Sequence, residues 1–176
     1  FSIIISSKYF FIPIQLTLIT GFTIGIPSFI LALEPNNDLI KGKFLLKIVS
    51  KSLPTALTVV FNIVLVTIFA NVFHLDEGLE TSLCVFLTAI TGFIHLYKIC
   101  QPFNVIRVSL LILMILGFLY CAIFQNEFFS LSPMTPTSCL IGFVLTIDSL
   151  YIFRRLNYFI SKAFHKLDPT INIEYE

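Results

Sequence analysis

Five apolar runs, each close to the length that crosses a bilayer and each ended by a short polar break, dominate this chain: residues 11–33, 53–73, 81–99, 105–124 and 137–153. About 20 helical residues traverse the hydrocarbon layer. In lipid the backbone has to satisfy its own hydrogen bonds, so runs of this kind fold as helices. The breaks carry ordinary stop signals: Glu34-Pro35-Asn36-Asn37, Asp76-Glu77-Gly78, Gln101-Pro102 and the stretch 133–136. Pro54 and Pro102 fall where helices are expected to begin, positions at which a missing N–H costs nothing. Short connections between long spans favour antiparallel neighbours. The expected fold is all-α, an integral membrane bundle of five transmembrane helices.

Composition excludes the alternatives. Charged residues make up 12% of the 176 and AVILMFWYC residues 57%, with a mean hydropathy of +0.95. A water-soluble globule of this size cannot hide that much apolar surface. Disordered chains are rich in charge and poor in apolar residues, the reverse of what is found. A net charge of +1 leaves no basic surplus for nucleic acid. Cys84, Cys100, Cys121 and Cys139 show no metal-ligand spacing and read as small hydrophobes. No Ser-His-Asp order, H-E-x-x-H, phosphate loop or G-x-G-x-x-G is present, so nothing here carries out covalent chemistry unaided.

The chain divides into three parts. Residues 1–10 read as the tail of a preceding membrane helix, because Ile3-Ile4-Ile5 looks like the end of an apolar run, followed by an external loop. Residues 11–153 form the five-span unit, and residues 154–176 a basic tail. Lys41, Lys43, Lys47, Lys51, Lys98, Arg107, Arg154, Arg155, Lys162 and Lys166 fall on one side of the expected membrane, and Lys8 alone on the other. Positive residues concentrate in cytoplasmic loops, which places the N-terminus outside and the C-terminus in the cytoplasm. Asp76, Glu77, Glu80 and Glu127 fall on the outer side.

Polar residues within the spans are the candidates for function. The first span contains Pro27, which has no N–H and whose ring crowds the carbonyl of Thr23, so the helix should kink or open there. Gly25 lowers the cost of unwinding. At about 100° per residue, Thr17, Gly21, Ile24 and Ser28 share one side, with Thr20 close by. A broken helix with hydroxyls and freed carbonyls on one face is a way to build a midplane cation site. Gly21 and Gly25 also form a small-xxx-small pair suited to close helix packing, and both readings stand at this point. Asp148, the one acidic residue inside a span, is a functional candidate by default, yet Arg154 and Arg155 lie near enough to pair with it. Asn62, Thr67, Asn71, Thr88, Thr91 and His95 can hydrogen-bond between helices. Two basic amphipathic stretches, residues 38–51 and 159–167, can lie on anionic headgroups, or the first can dock a soluble domain.

Pro13-Ile14-Gln15-Leu16-Thr17, then Thr23-Ile24-Gly25-Ile26-Pro27-Ser28-Phe29 and Leu33-Glu34-Pro35-Asn36, resemble the sixth transmembrane helix of P-type ATPases. Members like the calcium pumps read P-x-Q-L, then T-D-G-x-P-A, then an asparagine-proline exit, and the bacterial group called cation-transporting ATPase E looks closer still. The motif covers about 25 residues, and the four spans that follow agree with helices seven to ten of that family. The resemblance implies the C-terminal transmembrane portion of an ATP-driven cation transporter in a bacterial cell membrane. ATP and Mg2+ would belong to soluble domains outside this sequence, and no cofactor to this chain. Its partners would be the preceding helices and soluble domains of the same pump, the transported cation and the lipid bilayer. Thr17, Thr20, Thr23, Gly25, Pro27 and Ser28 would line the ion path, with Asp148 a further intramembrane charge. Lys41, Lys43 and Lys47 would face the phosphorylation domain. Where calcium pumps carry an aspartate in T-D-G this sequence has Ile24, which supplies no oxygen, so calcium as cargo is counted against. The rival expectation is a free-standing five-span scaffold or accessory subunit without ATPase activity. A fragment of a secondary transporter is a third, and it lacks the second broken helix of an inverted repeat.

Overall fold

The computed structural model describes residues 11–34, 44–132 and 135–166, and every regular element among them is helical. The first span is α1 (Pro13–Thr20), a π turn (Gly21–Gly25) and α2 (Ile26–Leu33) in one continuous rod. Four single helices follow: α3 (Phe44–Phe73), α4 (Glu77–Ile99), α5 (Val105–Phe124) and α6 (Pro136–His165). All five are long and apolar enough to cross a membrane. The expected tail and loop at residues 1–10, Lys41 and Lys43, and residues 167–176 lie outside the described residues.

Local chemistry sets the helix ends. Pro136 opens α6 at a position that needs no N–H, and Thr135 Oγ1 accepts from the Ser138 amide at 3.2 Å. Asn104 Oδ1 accepts from the Val105 amide at 2.7 Å at the start of α5. In α4, Glu77 and Glu80 occupy the first turn and Lys98 the last, matching the helix dipole at both ends. Pro54 departs from the expected helix start. It lies within α3, because the basic stretch up to Lys51 and the apolar run after it form one helix. The Pro54 ring is fully buried, which lets the interface hold the position against the missing amide. Likewise α6 runs unbroken through Arg154 and Arg155 to His165. At 30 residues each, α3 and α6 reach about 45 Å, longer than the ~30 Å hydrocarbon layer. The surplus turns carry Lys47, Lys51, Arg154, Arg155 and Lys162 at one common end.

α4 is the central post. In its most apolar stretch 44% is buried, against 22% to 28% in the other spans. On one side it packs with α3 and α6 around Val66, Leu83, Leu87, Ile141 and Leu145. On the other it packs with the first span and α5 around Leu18, Ile19, Val85, Ala89 and Phe118. Phe118 receives Phe22, Phe86 and Phe93 edge-to-face at centroid distances of 6.4, 6.0 and 5.6 Å. Polar side chains share the interior with this apolar core, and the outer surface is apolar. Gln15, Thr58, Asn62, Thr91 and Ser149 are inside, while Ile112, Leu113, Leu116, Phe143 and Ile147 are exposed. Apolar side chains facing outward suit a lipid solvent.

Candidate site along the first span

The geometry of the first span begins with Pro27. It offers no amide proton to the carbonyl of Thr23 in α register or of Phe22 in π register. The chain meets this with one widened turn in which the Ile26 amide donates to the Gly21 carbonyl, five residues back. The expected opening is therefore a π turn inside a continuous helix, completed before Pro27, which packs fully buried.

The exposed side keeps the expected Thr17, Ile24 and Ser28, with Thr20 close by, and adds Gly25. Thr17, Thr20, Ile24, Gly25 and Ser28 are exposed, whereas Thr23 is turned into the bundle at 7% exposure. The widened turn takes up one extra residue, so a fixed rotation per residue no longer applies across it. Each hydroxyl donates to its own helix: Thr17 to the Pro13 carbonyl at 3.1 Å, Thr20 to Leu16 at 2.7 Å, Thr23 to Ile19 at 2.7 Å and Ser28 to Gly25 at 3.0 Å. With their protons committed, these oxygens present lone pairs, the feature a cation ligand requires. Ile24, 61% exposed, interrupts the polar face.

Gly21 and Gly25 do not serve as a packing notch among the described residues. A methyl built at Gly21 meets nothing within 4 Å, and one at Gly25 meets only the Thr20 carbonyl oxygen at 3.5 Å. The notches lie on the opposite side, in residues that sequence reasoning missed. A methyl at Gly92 would come within 2.7 Å of Thr23 Cγ2, and one at Gly117 within 2.6 Å of a Phe22 ring carbon. Both glycines sit mid-span in apolar helices, where small residues admit close approach, and that was the one signal available for them.

Polar ties hold the span at each end. Gln15 is fully buried; its Oε1 accepts from the Ile12 amide at 3.1 Å and its Nε2 donates to the Ser130 carbonyl at 3.0 Å. At the other end Arg107 Nε meets Glu34 Oε2 at 2.7 Å, and Arg107 also donates to the Pro102 carbonyl at 3.1 Å. Behind the span, Asn62 Nδ2 donates to Thr91 Oγ1 at 3.0 Å and Ser149 Oγ at 2.9 Å, joining α3, α4 and α6. Thr55 Oγ1 and His95 Nδ1 lie 2.9 Å apart, a second interhelical bond of the kind expected. Thr67 instead bonds within its own helix, and Thr88 Oγ1 has no partner among the described residues.

The expected partnership of Asp148 with Arg154 or Arg155 does not form. Asp148 makes no ion pair or hydrogen bond among the described residues. Arg155 Nε instead donates to the Tyr151 hydroxyl at 3.2 Å, one helical turn away, and its guanidinium lies over that ring. Among the described residues no cluster of three or more His, Cys, Asp or Glu side chains is placed to hold a metal. Any ion held beside the first span would need further oxygens from elsewhere.

No family model and no solved structure matches the chain. Two curated proteins do. The probable cation-transporting ATPase exp7 of Streptococcus pneumoniae is 36% identical over 116 residues, which is 66% of this chain and 15% of that protein. The calcium-transporting ATPase CtpE of Mycolicibacterium smegmatis is 47% identical over 49 residues, 28% of this chain and 6% of that protein. The chain thus spans a small part of the length of the curated relatives it matches. Both are cation-transporting ATPases by name, the class to which the resemblance of the first span pointed, and that resemblance is borne out.

Proposed function

We propose that this chain is the C-terminal transmembrane portion of a P-type cation-transporting ATPase, in which the first span borders the ion path and α3 to α6 brace it. The observation that carries the reading is the first span itself. Its π turn at Pro27 and its row of back-bonded hydroxyls form a polar, unpacked face in a chain similar to cation-transporting ATPases. The helices that complete the pump would cover that face and contribute the carboxylates it lacks. ATP and Mg2+ would bind in soluble domains of the same pump, where hydrolysis drives alternating exposure of the path.

Within this reading Thr17, Thr20, Gly25 and Ser28 lie along the path. Thr23 acts from behind, by seating the π turn against α4, and Pro27 by packing buried just after it. Calcium is disfavoured as cargo because Ile24 stands where an oxygen ligand is wanted, and a divalent ion needs several oxygens. The basic end of the bundle, with Lys47, Lys51, Lys98, Arg107 and Arg154, faces the cytoplasm of a bacterial cell, and Lys41, Lys43 and Lys47 approach the phosphorylation domain. Asp148 is a candidate for a further charge contact within the membrane.

The test uses the full-length protein in liposomes. Thr20→Ala and Pro27→Ala should each lower cation-stimulated ATP hydrolysis by about tenfold or more, the loss expected when a ligand or its positioning fails. Unchanged stimulation in both variants would sink the assignment of the path to this span.

A further inference from the structure

A cavity of about 370 Å³ opens at the basic end of the bundle. Lys51 of α3, His95 and Lys98 of α4, Gln101 of the following connection and Asn157 of α6 line it, and none of its lining residues is acidic. Its volume lies in the ~300–1,000 Å³ range of small-molecule sites. Lys51 stands two residues before the apolar run of α3 begins at Leu53, and Lys98 one residue before α4 ends at Ile99. Both mark the level at which hydrocarbon gives way to headgroups. Ile99, 44% exposed, also lines it.

The donors are held in place. His95 Nδ1 lies 2.9 Å from the Thr55 hydroxyl, a contact that holds the ring; in the tautomer in which Thr55 donates, Nε2 carries the N–H. Lys98 Nζ rests over the Phe153 ring, 5.0 Å from its centroid, which fixes the ammonium beside the cavity. Lys51 is exposed. Two ammonium groups, an imidazole and two side-chain amides lining one concavity make a donor set for a tetrahedral oxyanion.

We propose that this cavity binds a phosphate-bearing anion, and that its level in the membrane favours the phosphodiester headgroup of an anionic lipid. Basic pockets between transmembrane helices on the positive side of a membrane protein are suited to such headgroups. The inference stands whether or not the chain belongs to a pump.

The experiment titrates the full-length protein in phosphatidylcholine nanodiscs with phosphatidylglycerol, and separately with inorganic phosphate, reading thermal unfolding and lipid retained in native mass spectra. Phosphatidylglycerol should raise the unfolding temperature saturably. Lys51→Gln and Lys98→Gln should each weaken its apparent affinity about fivefold. Arg154→Gln, a charge removed at the same end outside the cavity, should leave it unchanged. Saturation by inorganic phosphate with the same lysine dependence would support the site and assign free phosphate as its source. Equal losses in Arg154→Gln and Lys98→Gln, or no loss in Lys51→Gln, would overturn the proposal. Lys51 is exposed, so its variant keeps the test decisive if Lys98→Gln fails to fold.

Discussion

Thr23 and Gly92 approach so closely that a methyl group on Gly92 would lie 2.7 Å from Thr23 Cγ2 and 2.9 Å from Thr23 Cβ. The π turn of the first span and the central helix α4 therefore meet with the Thr23 side chain seated against the Gly92 backbone. What seats the turn is the absence of a side chain on its neighbour.

Gly92→Ala should accordingly destabilise the bundle by about 1–3 kcal/mol, the usual cost of overpacking a filled interface. Thr23→Ser removes Cγ2 and keeps the hydroxyl that donates to Ile19, so the double variant should recover part of the loss. Thermal unfolding of the four proteins of this cycle measures the coupling, and strict additivity would contradict the contact.

Gln15 ties the N-terminal end of the first span to the turn before α6 through one hydrogen bond to Ser130, and accepts a second from the Ile12 amide of its own span, with its side chain fully buried. Gln15→Leu keeps much of the volume but leaves the Ile12 amide and the Ser130 carbonyl without their partner. The expected loss is about 1–3 kcal/mol, read as a lower unfolding temperature. Amide exchange should also quicken at Ile12.

Glu34 and Arg107 join the C-terminal end of the first span to α5, both largely shielded, with side chains 16% and 19% exposed. Arg107→Gln should cost about 1 kcal/mol, toward the upper end for an ion pair that is not fully buried. The charge-exchanged pair Glu34→Arg with Arg107→Glu should regain part of it. Raising the salt should narrow the difference between wild type and Arg107→Gln.

The five spans were legible because bilayer thickness fixes their length and lipid fixes their hydropathy, and neither depends on long-range packing. The local opening at Pro27 was legible too, since a missing amide proton is a property of the residue. Its form was not. A π turn over Gly21–Gly25 depends on Thr23 and Phe22 finding Gly92 and Gly117 on other helices, and no local pattern encodes that meeting. Rotation at a constant angle per residue did place Thr17, Ile24 and Ser28 on one side with Thr20 close by, as the structure has them, but it could not name the glycine that Thr23 meets. Asp148 shows the same limit: proximity in sequence suggested Arg155, but the helix sets that guanidinium over Tyr151. The burial of Gln15 rests on a turn 115 residues further on.

Gly21 and Gly25 separate the two meanings of the open face. Nothing among the described residues lies within 4 Å of a methyl placed at Gly21, and at Gly25 the one neighbour is at ordinary contact distance. If lipid covers this face, alanine at both positions should be harmless or stabilising, because each Gly→Ala exchange in a helix is worth up to about 1 kcal/mol. If it borders an ion path completed by other helices of a pump, an added methyl narrows the path or holds those helices away. The expected outcome for Gly21→Ala in the full-length protein is an unfolding temperature within a few degrees of wild type, with cation-stimulated ATP hydrolysis reduced about tenfold. Intact hydrolysis alongside a raised unfolding temperature would show that the face belongs to lipid, and the hydroxyls of Thr17, Thr20 and Ser28 would then serve their own helix alone.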